Sequence, residues 1–350
     1  MRNKTAPTLQ RITACENHLR YVFPAGYRFK RIIANPVLEI SEDVYQPIYS
    51  ETDTDFFRND WTVLAFRAFK LLKDRIPRRG AICIVGTGGG LDALGVIEIF
   101  NPGELVITDL SDAALNQSNL NVMKNMQQQA RKFIAIHTQK SFLFNTVHCQ
   151  KASFDLIYEN LPNLPLDQTT KIIRCSQPIT ASYYYNQEIL NEPVPKAYSD
   201  RLLSLHWLFL KAARQYLKPD GKVVCSIGGR MDYSIVENMF REAGYQAELI
   251  VYDFKRQNES ASNLPGYAAE EDKRNGKQVS FKYYRYLEVL SSLAGKKWNR
   301  LKGFAGNPGI LQSILKNRSF TARQANKEFR ENKTAIGHEV YFIVGTIAKT

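Results

Sequence analysis

The sequence lacks long apolar runs and has few cysteines. No stretch of the 350 residues approaches the roughly 20 consecutive apolar residues of a membrane-spanning helix. The first residues, Met1-Arg-Asn-Lys-Thr, lack the apolar segment of a secretory signal peptide. The five cysteines are an odd number, are widely scattered and include no Cys-x-x-Cys pair, so they indicate neither a disulfide framework nor a zinc site. We therefore expect a cytoplasmic protein with no membrane partner and no metal centre.

Acidic residues are also in the minority. The chain has 34 Asp and Glu against 47 Lys and Arg, which gives a formal net charge of +13. Residues 255–334 hold most of this excess, with 17 basic and 7 acidic residues. Two interpretations remain open for this segment. It binds an acidic partner such as RNA, a phosphorylated metabolite or an anionic protein surface, or it is a solvated, lysine-rich helical surface.

Residues 81–110 contain a cluster of glycines. Their pattern indicates a strand, a turn, a helix and a second strand. Residues 82–85 suit a strand buried on both faces, and Gly86, Gly88 and Gly90 then allow a sharp turn and a close approach of the backbone to a ligand. The following helix directs its N-terminal amides at that ligand. The second strand leads to Asp109, whose carboxylate can accept hydrogen bonds from both hydroxyls of a ribose. This order predicts a nucleotide-cofactor site.

The glycine spacing distinguishes two cofactor classes. A dinucleotide-binding fingerprint has its third glycine three residues after the second, and that position here is Leu91, so an oxidoreductase is the less favoured interpretation. The Gly-x-Gly-x-Gly spacing, followed by Asp109-Leu-Ser-Asp-Ala-Ala-Leu115, resembles that of class I S-adenosylmethionine-dependent methyltransferases. Those enzymes usually carry an acid two residues before the first glycine, where this chain has Ile84.

Apolar patterns along the rest of the chain predict alternating helices and strands. Helical spacing occurs at residues 61–76, 111–122, 202–217 and 233–243, and strand-like runs occur at 154–158, 222–227, 247–254 and 339–347, with one more strand between 133 and 147. A connection of roughly 80 residues before the last strand is longer than ordinary loops and indicates an insertion. We therefore predict an α/β fold with a doubly wound, seven-stranded, mostly parallel sheet and an antiparallel last hairpin. The predicted domains are an N-terminal extension and cofactor cover (1–60), a cofactor-binding core (61–254), a basic insertion that caps the substrate (255–336) and the last core strand (337–350).

The predicted strand at 154–158 leads into Glu159-Asn-Leu-Pro-Asn-Leu-Pro165. This segment resembles the fourth motif of methyltransferases that act on amide or exocyclic amino nitrogens, in which a strand ends in Asn-Pro-Pro-Tyr. The similarity is greatest to the enzymes that methylate the glutamine of translation release factors and to N6-adenine methyltransferases. Val44-Tyr-Gln-Pro47 and Asp53-Thr54 resemble the segment that covers the cofactor in those enzymes, and Lys218-Pro-Asp-Gly221 resembles a downstream segment. The resemblance covers residues 40–254.

The resemblance implies S-adenosylmethionine as the cofactor. It also implies two catalytic positions, since Asn160 matches the asparagine whose side-chain oxygen accepts a hydrogen bond from the substrate nitrogen, and Pro162 matches the proline beside a carbonyl that does the same. The cofactor-binding residues that it implies are Tyr45, Thr54, Gly86, Thr87, Gly88, Gly90, Asp109, Leu110 and Asn160.

The resemblance further points to residues on the acceptor side. Leu161 replaces the first proline of the motif, and Asn163 replaces the aromatic ring that stacks on a planar substrate. The connection that follows borders the acceptor pocket in the family, and an aromatic wall there can replace the missing ring. The predicted substrate-binding residues are Asn163, Tyr183, Tyr184 and Tyr185.

The sequence thus predicts a methyltransferase that modifies a nitrogen or an oxygen of a small molecule or peptide. Methyl transfer is an in-line displacement that requires alignment within about 3–3.5 Å and exclusion of water. A hydroxyl acceptor would also need a general base, for which His206 and Glu159 are the candidates. Two alternatives remain: an enzyme that acts on RNA or on a translation-associated protein, and a non-catalytic, methyltransferase-like binding module. The basic segment motivates the first, and Ile84 with the altered Asn-Leu-Pro-Asn motif motivates the second.

Overall fold

The computed structural model describes residues 9–12, 15–20, 22–41, 44, 56–145, 147, 149–163, 193–258, 260–273 and 279–348. The chain divides into two units. The first contains the described residues up to Glu159 together with 215–221, and the second contains the described residues 160–214 and those from Lys222 onward. No helix in the ranges given above is long and apolar enough to cross a membrane.

The first unit begins with short elements and continues with alternating strands and helices. Its N-terminal elements are β1 (Leu9–Ile12), α1 (Cys15–Arg20), β2 (Leu38–Ser41), α2 (Phe56–Asn59), α3 (Trp61–Leu72) and a 3₁₀ turn (Lys73–Arg75). The elements that follow are β3 (Ala81–Val85), α4 (Leu91–Phe100), β4 (Glu104–Asp109), α5 (Asp112–Asn125), α6 (Gln128–Arg131), β5 (Ala135–Lys140) and β6 (Phe154–Glu159).

The strands of the first unit form a parallel arrangement in the order β5, β4, β3, β6. Residues 82–85 and all of β6 are buried, as expected for strands that are covered on both faces. From β3 the chain runs outward through β4 to β5 and then returns to the other side of β3 at β6. The carboxyl ends of β3 and β6 therefore form a topological switch point, where open α/β sheets bind ligands.

Local signals explain where the helices beside these strands begin. The Asp60 carboxylate accepts hydrogen bonds from the N–H groups of Thr62 and Val63 at the start of α3. At the start of α5, the Ser111 side chain accepts one from Ala114 N–H. Helices α3 and α4 pack closely at Gly95, where an added Cβ would lie 1.9 Å from Cε1 of Phe66. A glycine inside α4 therefore serves helix packing rather than flexibility.

The second unit contains the remaining elements. Strand β7 (Leu217–Gly229) begins in the first unit and continues into the second. The others are α7 (Lys196–Ser199), α8 (Ser204–Ala213), α9 (Tyr233–Glu242), β8 (Tyr245–Arg256), α10 (Ser260–Lys273), β9 (Tyr284–Arg285), α11 (Tyr286–Leu293), α12 (Pro308–Leu315), α13 (Ala322–Asn332) and β10 (Ile336–Ile347).

Strand β10 lies between β7 and β8 and pairs antiparallel with both, and the two-residue β9 also pairs with it. The predicted doubly wound, mostly parallel α/β fold with an antiparallel last hairpin is confirmed. The predicted strand number of seven was too low, since the described residues form an eight-stranded sheet in which the two-residue β9 is the additional strand. Some predicted boundaries were wrong: the helix placed at 202–217 ends at Ala213, and the strand placed at 222–227 begins already at Leu217. Residues 215 and 216 leave the helix because their carbonyls accept hydrogen bonds from the N–H groups of residues 152–154. The Lys218-Pro-Asp-Gly221 segment consequently lies inside β7.

The predicted insertion at 255–336 contains α10 to α13. Helices α10 and α13 contribute to a cluster of buried apolar side chains formed by Leu202, Leu264, Tyr267, Val279, Phe281, Tyr283, Ala322, Ala325 and Ile336. The insertion is thus built on an apolar core. Its assignment as a substrate cap stays a prediction.

One buried carboxylate holds the segment that precedes α3 in the first unit. Glu98 lies on α4 and is 1% exposed. Its oxygens accept hydrogen bonds from the Tyr27 hydroxyl at 2.8 Å and from the backbone N–H groups of residues 30–32 at 2.8–3.2 Å. The carboxylate therefore satisfies three backbone donors, in partly buried and buried positions, that would otherwise lack partners.

Glu98→Ala removes these acceptor contacts together. We expect it to reduce the free energy of local opening of residues 27–32 by at least about 3 kcal/mol, since each buried donor left without a partner costs roughly 1–3 kcal/mol. Hydrogen exchange of the amides of residues 30–32 measures this change. Glu104→Ala is the control, because Glu104 forms an exposed pair with His137 that contributes little. Equal protection of these amides in Glu98→Ala and in the unmodified protein would contradict the assignment.

Candidate functional site

The loop between β3 and α4 carries the three glycines of the predicted cofactor site. Gly86, Gly88 and Gly90 have φ angles of 77°, 53° and 89°, a left-handed backbone that glycine adopts without strain. The N–H groups of Gly86 and Thr87 both donate to the carbonyl oxygen of Thr108, at 2.9 and 3.2 Å. Backbone hydrogen bonds therefore fix the loop to the end of β4.

Gly90 is confined by a neighbouring helix as well as by its backbone angle. A Cβ at this position would lie 2.8 Å from Oγ and 2.9 Å from Cα of Ser118, which belongs to α5. Ser118 also contacts the loop through Thr87, with 3.0 Å between the two hydroxyl oxygens. Gly90 is the N-cap of α4 and offers no capping side chain, so the first amides of the helix are available to an external acceptor.

Asp109 is the last residue of β4 and contacts the loop directly. Its Oδ2 accepts a hydrogen bond from Gly88 N–H at 3.1 Å, and its Oδ1 accepts one from Ser111 N–H at 2.9 Å. Burial raises the pKa of the Asp109 carboxyl, and the surrounding backbone N–H donors oppose this rise. The structure thus brings Gly86, Thr87, Gly88, Gly90 and Asp109 together. Leu110, half-buried, directly follows Asp109.

Two asparagines on α5 bind the backbone in and just before β2, and the first of them also binds the loop. Asn121 Nδ2 donates to the carbonyl oxygens of Glu39 and Gly89, both at 2.9 Å, and its Oδ1 accepts from Glu39 N–H at 2.9 Å. One helical turn later, Asn125 pairs in the same way with both backbone groups of Val37. Sequence reasoning missed these residues, and the available signal was a pair of asparagines four positions apart within a helical pattern.

Asp92 makes a second buried polar contact near the loop. It lies in the first turn of α4, and its Oδ2 accepts a hydrogen bond from the Tyr158 hydroxyl at 3.1 Å. Its Oδ1 is buried without a hydrogen-bond partner among the described residues. Burial raises the pKa of Asp92 to about 6, an effect that the Tyr158 hydroxyl opposes. The two residues link α4 to β6 in the first unit.

The predicted catalytic segment begins where β6 ends. Val85 and Glu159 are register partners in the parallel pair β3–β6, and the residues that follow them in the chain are Gly86 and Asn160. Asn160 and Pro162 are half-buried. The catalytic and cofactor roles of these two residues stay predictions.

Asn163 occupies the position where the resemblance implies an aromatic ring. It is buried, its Oδ1 accepts a hydrogen bond from Nη1 of Arg230 at 3.3 Å, and its Nδ2 donates to the carbonyl oxygen of Gly228 at 3.2 Å. The Tyr267 hydroxyl donates to the Asn163 carbonyl at 2.7 Å. Asn163 is therefore engaged by the protein itself, and its assignment to substrate binding stays a prediction.

The other predicted site residues fall into two groups. Tyr45, Thr54, Tyr183, Tyr184 and Tyr185 lie outside the described residues. The two candidate general bases are described, and both are fully buried: His206 inside α8 and Glu159 at the end of β6.

Comparisons with known proteins give distant similarities, and no family model matches the chain. A bifunctional methyltransferase from Rickettsia conorii is 23% identical over 172 residues, which are 49% of this chain and 29% of the relative. The chain thus spans about three tenths of that relative's length.

Three solved structures are similar at low identity. The YcgJ protein from Bacillus subtilis has a TM-score of 0.42 and 11% identity, and the match covers 82% of this chain and 99% of that one. A ribosomal protein L11 methylase from Lactobacillus delbrueckii subsp. bulgaricus has a TM-score of 0.35 and 18% identity, covering 63% and 92%. A SAM-dependent methyltransferase from Aquifex aeolicus has a TM-score of 0.36 and 13% identity, covering 58% and 93%.

Proposed function

We propose that the protein is an S-adenosylmethionine-dependent methyltransferase. The observation that carries this proposal is the contact between Asp109 and Gly88, in which a carboxylate at the end of β4 accepts a hydrogen bond from a left-handed glycine loop beside the switch point of the sheet. Leu91, in place of the third glycine of a dinucleotide fingerprint, favours an adenosyl sulfonium over a nicotinamide dinucleotide. The name of the Rickettsia conorii relative supports the same reaction class.

The residues of the loop fit an adenosyl ligand. A carboxylate offers about four acceptor sites. The N–H groups of Gly88 and Ser111 form well-aligned hydrogen bonds with Asp109, and those of Leu110 and Thr87 act on it less strongly. Ribose hydroxyls would compete with the two less strongly acting donors. The glycines allow the backbone to approach a ligand without intervening Cβ atoms. S-adenosylmethionine supplies a methyl group on a positively charged sulfur. The loop and Asp109 would hold its nucleoside.

On the acceptor side, we propose that Asn160 and the carbonyl beside Pro162 orient the acceptor nitrogen of a small molecule or peptide. Both residues directly follow β6 and are half-buried. Two acceptors that fix the direction of a nitrogen lone pair contribute through alignment, which is the main requirement of an in-line methyl transfer.

Asp109→Ala tests the cofactor assignment. We expect the affinity for S-adenosylmethionine to fall at least tenfold in isothermal titration calorimetry, because the variant loses hydrogen bonds to ribose hydroxyls that are each worth roughly 1.5–3 kcal/mol when the acceptor is charged. Asp112→Ala is the matched control, since the Asp112 carboxylate is exposed and pairs with Lys140. Unchanged affinity in Asp109→Ala, or no heat of binding in the unmodified protein, would refute the proposal.

Gly90→Ala tests whether the close approach to Ser118 shapes the cofactor loop. The added Cβ must displace the loop or α5, so we expect S-adenosylmethionine affinity to fall at least tenfold. Gly26→Ala is the control, because Gly26 also has a positive φ, of 77°, but has no atom within 4 Å of an added Cβ. It shares the backbone strain of roughly 1–2 kcal/mol without the steric contact. Equal affinities in the two variants would show that the contact is unimportant.

A nucleic-acid acceptor is the second candidate, and the charge distribution favours it. Residues 289–327 contain eight Lys and Arg and no Asp or Glu. Elsewhere in the insertion, Arg285 forms an ion pair with Glu328. In contrast, Lys297 and Arg300 are exposed in the connection between α11 and α12.

RNA binding measured over a range of salt concentrations tests this candidate. Lys297→Ser with Arg300→Ser should lower both the affinity for single-stranded RNA and the dependence of log K on log [salt], because each lost phosphate contact reduces the slope by about 0.7. Arg285→Ser is the control, since its charge is already paired. Absent or salt-independent binding by the unmodified protein would remove this candidate.

A further inference from the structure

The second unit contains a buried arginine at the end of β7. Arg230 directly follows Gly229, the last residue of β7, and is 2% exposed. Its Nε and Nη2 donate to Oε1 of Gln257 at 3.1 and 2.8 Å, and its Nη1 donates to Oδ1 of Asn163 at 3.3 Å. Nη2 also lies 3.1 Å from Nε2 of His338. Residues from three separate segments of the chain therefore converge on one guanidinium.

The imidazole of His338, one of these partners, is neutral. Its Nδ1 lies 2.6 Å from the carbonyl oxygen of Glu339, so Nδ1 carries the proton and Nε2 accepts from Arg230. Burial lowers the pKa of His338 well below its usual value, and Arg230 and Lys255 lower it further. The described hydrogen-bond partners of Arg230 are thus all neutral. A buried cation with neutral partners lacks the countercharge that normally offsets its desolvation.

Aromatic rings complete the surroundings of the guanidinium. Its Cζ lies 4.8 Å from the ring centroid of Tyr267 and 6.0 Å from that of Tyr283. Gly228 makes room beside it, since a Cβ there would lie 2.2 Å from Nη1. Cation–π attraction to these rings offsets part of the cost of removing the guanidinium from water.

Two hydrogen-bond donors in this cluster lack acceptors in the described part of the chain. The Tyr283 hydroxyl is buried and has no hydrogen-bond partner there. A guanidinium has five N–H groups, and the four contacts to Gln257, Asn163 and His338 leave one N–H of Nη1 over. Burial raises the pKa of the Tyr283 hydroxyl, and Arg230 opposes that rise both through its charge and through a side-chain interaction with the hydroxyl. The two groups therefore lie close together. The buried Glu271 carboxylate raises the pKa of Tyr283 slightly further.

We propose that Arg230 and Tyr283 form a recognition site for a carboxylate of the methyl acceptor. One carboxylate oxygen can accept from the remaining Nη1 N–H and from the Tyr283 hydroxyl, and the ligand supplies the missing negative charge. A planar monoanion suits a single guanidinium flanked by aromatic rings, whereas a phosphate would bring a second charge and more oxygens than these two donors can serve. The acceptor would then be an amino acid, a peptide with a free carboxylate or a similar acid. The identity of the ligand as acceptor rests on the proposed function.

The test uses acetate as the probe and the full-length protein labelled with ¹⁵N-arginine. The Nε–H signal of Arg230, assigned through Arg230→Lys, should shift saturably as sodium acetate replaces sodium chloride at constant ionic strength. Tyr283→Phe should raise the dissociation constant for acetate about tenfold, because a hydrogen bond to a charged group is lost. The same variant should leave the melting temperature unchanged or raise it, since it removes a buried hydroxyl that has no partner.

Tyr284→Phe is the matched control. The Tyr284 hydroxyl donates to Oε2 of Glu339 at 3.3 Å, so its removal should lower the melting temperature and leave acetate affinity unchanged. A non-saturable acetate shift, an unchanged acetate affinity in Tyr283→Phe, or tighter binding of methyl phosphate than of acetate would overturn the site. If Arg230→Lys does not fold, the acetate affinities of Tyr283→Phe, Tyr284→Phe and the unmodified protein are compared without it.

S-adenosylmethionine titrations on the same samples separate this inference from the proposed function. Failure of the carboxylate site abolishes the acetate effect and leaves cofactor affinity intact. Failure of the proposed function appears as absent cofactor binding in a protein that still binds acetate.

Discussion

The hydrogen bond between the Asp109 carboxylate and the Gly88 amide ties the end of β4 to the loop that follows β3. It joins two neighbouring parallel strands at the point where each one ends, so the loop has a defined shape before any ligand arrives. Ser118 then prevents any side chain at Gly90. The candidate site is therefore specified mainly by backbone geometry and one carboxylate. This suits a reaction in which alignment, rather than acid–base chemistry, lowers the barrier.

The N-terminal segment depends on directional polar contacts rather than on apolar burial alone. Glu98 accepts from three consecutive backbone amides, and Asn121 and Asn125 bind both backbone groups of alternate residues in and before β2. Such contacts fix the register of the segment because a shift by one residue would leave buried donors and acceptors unpaired. Asn121 also binds Gly89, so the register of β2 is coupled to the glycine loop that follows β3.

In the second unit, by contrast, some buried polar groups lack a full set of hydrogen-bond or charge partners. Arg230 is surrounded by neutral partners and aromatic rings, and the hydroxyl of Tyr283 is left without a partner among the described residues. In the motif that this chain resembles, an aromatic ring at the position of Asn163 stacks on the substrate. Here the side-chain amide of Asn163 binds the guanidinium of Arg230 instead. The incomplete pairing of this cluster is what makes it a candidate for ligand recognition.

The sequence by itself determined the order of strands and helices, the glycine loop and the position of Asp109, because apolar periodicity, glycine spacing and capping residues are local properties. It left the register of β5 open because that edge strand contains only exposed and half-buried residues and has no apolar run. Only the tertiary structure decided the contacts of Glu98, Asn121 and Arg230. Arg230 meets His338 across 108 positions, and the burial and pairing of a polar side chain depend on such distant residues, which no local pattern specifies.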